Sequence, residues 1–341
     1  MWDKPVDRFL LAAVVVLSLA SVVSPRRAHR PELLLSNETT VEQKMPVEMS
    51  QKAVEAKLRD NPVLRARFEQ ASTVSFVFMF LSLFYFMQLF AALIFKRLVL
   101  KKTPPAELDD GFLVVFRAVA GSLTVLLSFP WIAAAIHRLF PAAWLPQGRV
   151  ESILMTLCVN AFLFLLLAWR FWGAALLPPM EKEWKRHLLA VVTAVRWYLA
   201  LVPVLFAVII LSVLAFRAAG IEGPSQEIFQ IYLSEGRGPI LGLLNILIVV
   251  VGPVTEELFF RGALYRSLKP RAGIRGALIL SAALFAALHM DLVAFVPIFT
   301  LGLLFGWVYE QTGSLAAPIT IHLLHNGFML YFASLVKELL S

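Results

Sequence analysis

Long, continuous apolar runs separated by short polar and basic segments dominate the chain. A membrane span needs about 20 mostly apolar residues to cross roughly 30 Å of hydrocarbon. Strands of a membrane barrel would instead alternate apolar and polar positions. The candidate spans are residues 9–23, 71–95, 118–136, 153–169, 188–216, 239–268, 276–289, 292–308 and 315–336. The pattern predicts an all-α, polytopic membrane protein of eight or nine transmembrane helices.

The first apolar run, residues 9–23, is short and follows Lys4 and Arg8. This order is also found in secretory signal peptides, but no convincing small-x-small cleavage site precedes Ser24. We therefore expect an uncleaved anchor helix.

The composition supports a membrane protein. Of the 341 residues, 59% are hydrophobic and 16% are charged, and the mean hydropathy is +0.77. Soluble domains are about 45–50% apolar and 25% charged. These values exclude a disordered chain, a disulfide scaffold and a nucleic-acid-binding module. The net charge of +8 is therefore attributed to Lys and Arg that flank membrane spans, and the lipid bilayer is the expected surrounding.

Basic residues predict the orientation. Successive loops carry 4, 2, 4, 2 and 5 Lys or Arg, and the basic-rich loops are 96–111, 170–187 and 261–275. Cytoplasmic loops carry the excess of positive charge, so we place these three in the cytoplasm. The polar segment 24–70 also holds nine basic residues, but it is long and carries seven acidic ones, and we place it outside. Residues 47–70 predict one or two surface helices, interrupted at Pro62.

The ionisable residues that lie inside apolar runs concentrate in the last third of the chain. Such residues are costly in a membrane, so each one suggests a functional site. Glu257 and Arg261 are four residues apart and can pair on one helical face. Glu256 points about 100° away, without a local cation, which suits a general base. The alternative is a cytoplasmic helix end with an ordinary surface salt bridge.

Three more polar positions follow. His289 lies near the end of an apolar helix, and His322 and Asn326 share one face of the last helix. His325 lies off that face. Each could be a packed, hydrogen-bonded helix contact without catalytic meaning. Residues 302–306 place a glycine at each end of a small-xxx-small face, which predicts close helix approach.

Depth in the membrane groups these side chains. At 1.5 Å per residue, Glu256 lies about 18 Å inward from residue 268 and His289 about 20 Å inward from residue 276. His322 and Asn326 lie about 10 and 16 Å inward from residue 315. We expect these side chains to meet near the middle of the bilayer, in a cavity that opens to the cytoplasm.

The residues also resemble a known family. The order E-E-x-x-x-R at 256–261, F-x-x-x-H at 285–289, a glycine-containing helix and H-x-x-x-N at 322–326 is similar to the CAAX prenyl endopeptidase and bacteriocin-processing (CPBP) family of intramembrane proteases. The run 312–315, Thr-Gly-Ser-Leu, also fits that family. The resemblance covers residues 239–336, which we interpret as the catalytic domain. Residues 1–235 are interpreted as an N-terminal transmembrane region that comprises the anchor, the polar loop and further spans.

The resemblance implies roles for the matched residues. Glu256 with His289 would activate a water molecule, and His322 with Asn326 would stabilise the oxyanion. Glu257 and Arg261 would support the site. A zinc enzyme with Glu256, His289 and His322 as ligands stays open, but no H-E-x-x-H helix is present and we favour a metal-independent, glutamate-type protease without a cofactor.

The implied activity is intramembrane cleavage of a peptide bond near the C-terminus of a membrane-anchored or lipidated peptide or protein. In a bacterium, maturation of peptides or C-terminal processing of surface proteins would replace CAAX processing, and we expect an integral protein of the inner membrane. Two alternatives remain. One is a non-catalytic scaffold or immunity protein, and the other is a proton-coupled transporter, although no internal repeat is visible.

Overall fold

The computed structural model describes residues 51–94, 111–139, 149–172, 180–220 and 238–340. Within these ranges the chain forms helices and turns and no strand, which confirms the all-α prediction. The first five helices are α1 (Gln51–Asp60), α2 (Pro62–Ile94), α3 (Gly111–Leu139), α4 (Arg149–Trp172) and α5 (Met180–Ala218). The later elements are α6 (Pro239–Ile246), π1 (Leu247–Val251), α7 (Gly252–Glu257), π2 (Leu258–Tyr265), α8 (Arg266–Ala287), α9 (Phe295–Thr312) and α10 (Ala316–Leu340).

The predicted interruption near Pro62 is present, because α1 ends at Asp60 and α2 begins at Pro62. The second helix does not stop at the surface, since α2 runs on without a break through the apolar run. Continuous helix formation explains this, because nothing after Pro62 in that segment removes a backbone donor. The predicted anchor at 9–23 lies outside the described residues.

Four described helices are long and apolar enough to cross a membrane, namely Pro62–Ala91, Phe112–Ile136, Trp184–Ala218 and Pro239–Ala287. A shorter apolar helix covers Ile153–Trp169. The last of the four would be about 74 Å long as one rod, which is more than twice the hydrocarbon thickness. Its backbone leaves the helix at Gly273, where φ is 65° and ψ is 176°. Only glycine adopts this conformation readily. The protein is an integral membrane protein, and the total of eight or nine spans stays a prediction.

The Gly252-Pro253 pair explains why the helix widens just before the two glutamates. A proline ring clashes with the carbonyl four residues earlier, which here belongs to Val249. The backbone avoids that clash by forming π1, in which the amide of Gly252 donates to the carbonyl of Leu247 five residues back. A second π segment, π2, follows Glu257 directly. Such π-helical turns inside longer helices are frequent at functional sites.

The described residues fall into two compact units. The larger contains the described parts of Ala71–Ala118 and Leu163–Ser334. Its core brings together aromatic and aliphatic side chains of α5, π2, α8, α9 and α10. Gly302 and Gly306 allow α9 to lie close to α8, because a Cβ atom at Gly302 would lie 3.0 Å from the Cβ of Ala282 and one at Gly306 would lie 2.7 Å from Leu278. The close approach predicted from the two glycines is therefore present.

The smaller unit contains the described parts of Met1–Gln70, Val119–Phe162 and Leu335–Ser341. Arg67 and Glu338 form an ion pair within it. The ring of Phe162 occupies the space beside Gly121, where a Cβ atom would lie 2.1 Å from the ring. All of the predicted site residues belong to the larger unit.

Candidate active site

Glu257 is the centre of a buried polar network. Its Oε1 accepts a hydrogen bond from Nη1 of Arg261 at 2.9 Å and lies 2.9 Å from Nδ1 of His322. The side chains of Glu257 and Arg261 have no solvent-exposed surface, and that of His322 is 5% exposed. The predicted pairing of Glu257 with Arg261 is therefore present, and it is internal rather than a surface salt bridge. The network joins α7, π2 and α10.

Aromatic rings and one carbonyl hold Arg261 in place. Its guanidinium carbon lies 4.7 Å from the ring centre of Phe285 and 5.2 Å from that of Phe305, and Phe260 is also within cation–π range. Nη2 donates to the carbonyl of Gly302 at 2.9 Å. A buried charge is tolerated only when it is paired and hydrogen-bonded. Arg261 meets that condition and also ties π2 to α9.

The ring of His322 has a defined orientation. It stacks on Phe305 at 4.7 Å and meets Phe285 edge to face at 5.8 Å. A carboxylate only accepts hydrogen bonds, so the contact with Glu257 assigns a proton to Nδ1. Nε2 consequently points away from Glu257, and it lies 3.8 Å from Oε2 of Glu256. This is the arrangement in which a carboxylate sets the tautomer and direction of a functional imidazole.

Glu256 differs from its neighbour in exposure and contacts. Its side chain is 35% exposed, whereas that of Glu257 is fully buried. Oε2 of Glu256 is buried but has no hydrogen-bond partner among the described residues. The distance to His322 is too long for a direct hydrogen bond, and it suits a water molecule bridging the two groups. Glu256 is thus a carboxylate that reaches solvent and has an acceptor oxygen directed at His322.

His289 contacts both the backbone and the ring of Phe285. Its Nδ1 is 2.8 Å from the carbonyl of Phe285, which can only accept, so Nδ1 carries a proton and Nε2 can accept one. The His289 ring contacts Phe285 edge to face at 4.9 Å. Between the described side chains of His289 and Glu256 there is no hydrogen bond. The two residues therefore cooperate only through an intervening molecule.

Asn326 is engaged with backbone. Its Nδ2 donates to the carbonyl of Ile248, in π1, at 2.9 Å. His325 contacts a different helix, since its Nδ1 lies 3.0 Å from the hydroxyl of Tyr198 in α5. The expectation that His325 lies off the face shared by His322 and Asn326 agrees with these contacts.

The possible zinc ligands Glu256, His289 and His322 do not form a metal-binding cluster. Among the described residues, no three His, Cys, Asp or Glu side chains lie close enough together to hold a metal ion. Nδ1 of His322 is bonded to Glu257, so Nε2 would be its ligand atom, and His289 contacts Phe285. A catalytic zinc requires three protein ligands around one point. This arrangement does not fit that requirement.

Several contributors to the site were missed in the sequence. In the sequence, Phe285 is only part of the F-x-x-x-H motif, and Phe305 is only a position between two glycines. In the structure, both rings contact Arg261 and His322. Tyr198 belongs to a helix assigned to the N-terminal region, and only its position in an apolar run was visible. Ser212, on the same helix, donates to the carbonyl of Val293 at 2.6 Å, in the turn after His289. No local pattern links either α5 residue to the site.

Comparisons with known proteins point to one family of membrane peptidases. Residues 239–328 match the family described as type II CAAX prenyl endopeptidase Rce1-like. The membrane-embedded CAAX protease MroQ of Staphylococcus aureus (strain USA300) is 36% identical over 99 residues, which are 27% of this chain and 40% of that protein. YdiL of Bacillus subtilis (strain 168), named for membrane peptidase activity, is 30% identical over 87 residues, 26% of this chain and 36% of that protein. No solved structure matches the chain.

Each of these matches spans less than half of either protein. The family match nevertheless contains every predicted site residue, namely Glu256, Glu257, Arg261, His289, His322 and Asn326. The resemblance found in the sequence is confirmed. Residues 239–328 of this integral membrane protein are therefore similar to the Rce1-like family of CAAX prenyl endopeptidases.

Proposed function

We propose that the protein is an intramembrane endopeptidase that hydrolyses a peptide bond near the C-terminus of a membrane-anchored or lipidated substrate. The observation that carries the proposal is the pair of neighbouring carboxylates in a family-matched domain. Glu257 is buried and paired, and Glu256 is open to solvent and faces an oriented histidine. Environments that separate two carboxylates in this way are typical of acid–base sites.

Glu256 is the proposed general base. It takes a proton from a water molecule whose oxygen adds to the scissile carbonyl carbon. When the tetrahedral intermediate collapses, the carbon–nitrogen bond breaks and the proton moves from Glu256 to the departing amine. His289 assists by accepting a hydrogen bond from the same water through Nε2, because its Nδ1 is already bonded to Phe285. These steps use side chains of the protein and no metal.

His322 and Asn326 are proposed to stabilise the oxyanion. Because Nδ1 of His322 serves Glu257, only Nε2 can donate to an oxyanion, and it does so when the ring is an imidazolium. Nδ2 of Asn326 has two hydrogens, and one of them remains after its bond to Ile248.

The substrate proposal follows from the location of the site. A base inside an apolar helix bundle meets chains that are already in or on the bilayer, so membrane-anchored or lipidated segments are the expected substrates. Both curated relatives are bacterial proteins, and one is named for CAAX proteolysis. We propose that the protein works in a bacterial inner membrane with the site open to the cytoplasm, where the basic loops are expected.

The test compares the C-termini of membrane proteins from cells that carry the wild type or Glu256→Gln. We expect trimmed C-termini only with the wild type. Identical termini in both strains, with both proteins inserted at equal levels, would refute the protease and favour a scaffold or transporter. A synthetic peptide that spans a trimmed site, cleaved by the purified wild type in detergent, then establishes the bond that is broken.

A further inference from the structure

We propose that Asn326 has a positioning role, in which it holds Glu256 by capping a backbone carbonyl that Pro253 leaves without a donor. This role is additional to its proposed contact with the oxyanion. It rests on the proposed function, because it concerns the general base of that reaction. The role follows from the hydrogen-bond register of π1 and from the two contacts of α10 with the chain around Glu256.

The carbonyl of Ile248 has no partner in the helix that contains it. In an α-helix its donor would be the amide of Gly252, but that amide donates to Leu247. In the π register its donor would be residue 253, which is a proline and has no N–H. An unpaired backbone group inside a membrane costs several kcal/mol. Nδ2 of Asn326 supplies the missing donor at 2.9 Å.

The cap lies on the same face of α10 as the contact with Glu257. His322 and Asn326 are one helical turn apart, and they bond to Glu257 and Ile248 respectively. These two points bracket Glu256 along the chain. One face of α10 therefore fixes the segment that carries the proposed base at both of its ends.

Loss of the cap has a specific consequence for Glu256. With the carbonyl of Ile248 unpaired, the segment can regain satisfied bonds only by changing its register or rotating. One residue of helical register corresponds to about 100° of rotation. Such a rotation turns Glu256 away from Nε2 of His322 while leaving the side chain chemically intact. The rate of the chemical step falls, and substrate binding changes little.

Pro253 provides the test, because Pro253→Ala gives the carbonyl of Ile248 a backbone donor in either register: the amide of residue 253 if π1 is kept, or that of Gly252 if the segment becomes α-helical. We measure kcat, KM and the thermal midpoint for the wild type, Asn326→Ala, Pro253→Ala and the double variant. In the wild-type background we expect Asn326→Ala to lower kcat by about 10²–10³-fold with little change in KM. In the Pro253→Ala background we expect that loss to shrink by at least about tenfold, and the drop in thermal midpoint to shrink with it. The residual loss is the contribution of the second amide hydrogen to the oxyanion.

Pro203 of α5 is the matched control, since it is also a proline inside an apolar helix and takes no part in the site. In the same set of variants made with Pro203→Ala, we expect the effects of Pro203→Ala and Asn326→Ala on kcat and on the thermal midpoint to add. Equal losses of kcat in the Pro253 and Pro253→Ala backgrounds would overturn the positioning role, even if the thermal midpoints are coupled. If the proposed protease activity is wrong, the wild type trims no C-terminus. In that case the thermal midpoints alone test the cap, and an equal drop on Asn326→Ala in the Pro253 and Pro253→Ala backgrounds would refute it.

Discussion

Ion pairs in two parts of this chain differ in burial. On α2, Arg65 and Glu69 pair at 2.8 Å, but their side chains are 65% and 62% exposed. Between α7 and π2, Glu257 and Arg261 pair at 2.9 Å with no exposed surface. Both pairs have the same spacing of four residues, so the spacing alone does not separate them.

The two pairs differ in how much water reaches their charges. An exposed helical pair contributes about 0.3–0.5 kcal/mol, since water competes for both charges. A buried pair loses the hydration of both ions. Here that loss is offset by contacts with His322, the carbonyl of Gly302 and two phenylalanine rings. Oε2 of Glu256 has no hydrogen bond with the described residues, and the side chain remains partly exposed. This contrast is the basis on which we propose the buried pair as a support and the partly exposed Glu256 as the reactive group.

The largest expected effect is at Glu256. Glu256→Gln keeps the size and the hydrogen-bonding capacity of the side chain but cannot take the proton of water, so cleavage should be abolished. Expression and membrane insertion should stay near normal, because Oε2 of Glu256 makes no hydrogen bond with the described residues. Turnover of a membrane-anchored peptide by purified protein measures this. Glu69→Gln on α2 is the matched control and should retain activity, whereas a fully active Glu256→Gln would refute the mechanism.

The next effect concerns the buried pair. Arg261→Ala or Glu257→Ala leaves an uncompensated charge, at a cost of about 3–5 kcal/mol, so protein level and thermal midpoint should fall together with activity. Arg65→Ala removes one partner of the exposed pair and should change neither measurably. Quantitative immunoblotting of membranes and thermal unfolding in detergent provide the readouts. A stable but inactive Arg261→Ala would move Arg261 from support into the chemistry.

A smaller effect is expected at Asn326, whose substitution removes neutral hydrogen bonds. Asn326→Ala should lower turnover by about 10²–10³-fold, the scale for one lost donor, with KM nearly unchanged. Asn326→Asp preserves the shape but directs a negative oxygen at the carbonyl of Ile248, so it should be at least as harmful. Steady-state kinetics of both variants give the kcat and KM values that test these expectations. A rise in KM without a fall in kcat would make Asn326 a substrate-binding residue instead.

The helices were predictable because continuous apolar sequence in a membrane has few alternatives to helix. The Glu257–Arg261 pair was predictable for a similar reason, since both residues lie on one local face. The family order located His289, His322 and Asn326. Each of these predictions depends on local spacing or on a linear motif.

Other features were not predictable because they depend on long-range contacts or on irregular backbone. The partner of Glu257 on α10 is 65 residues away, and Tyr198 is 127 residues from His325. The estimate that Glu256 and Glu257 diverge by 100° assumed a regular helix, whereas π1 and π2 flank them. The bond of Asn326 to Ile248 follows from the proline at 253, but only once the π register is known.

A small effect is expected at His325. Its substitution tests whether a histidine of α10 contributes to activity only when it faces the two glutamates. His325→Gln can keep a hydrogen bond to Tyr198, so activity should stay within a few-fold and stability should fall by about 1 kcal/mol at most. Kinetics and thermal unfolding check both values. A loss as large as that of Asn326→Ala would show that the α5 contact is part of the catalytic machinery.

The smallest expected effect is that of metal removal. The favoured mechanism predicts that dialysis against a chelator leaves turnover unchanged and that the purified wild type holds no stoichiometric zinc. A zinc site at Glu256, His289 and His322 predicts the opposite, because the ligands would bind metal together and His322→Ala would release it. Among the described residues, these three side chains do not surround one point that could hold a metal ion. Stoichiometric zinc that is lost together with activity on chelation would therefore show that these side chains rearrange around a metal, and it would refute the oxyanion role of His322.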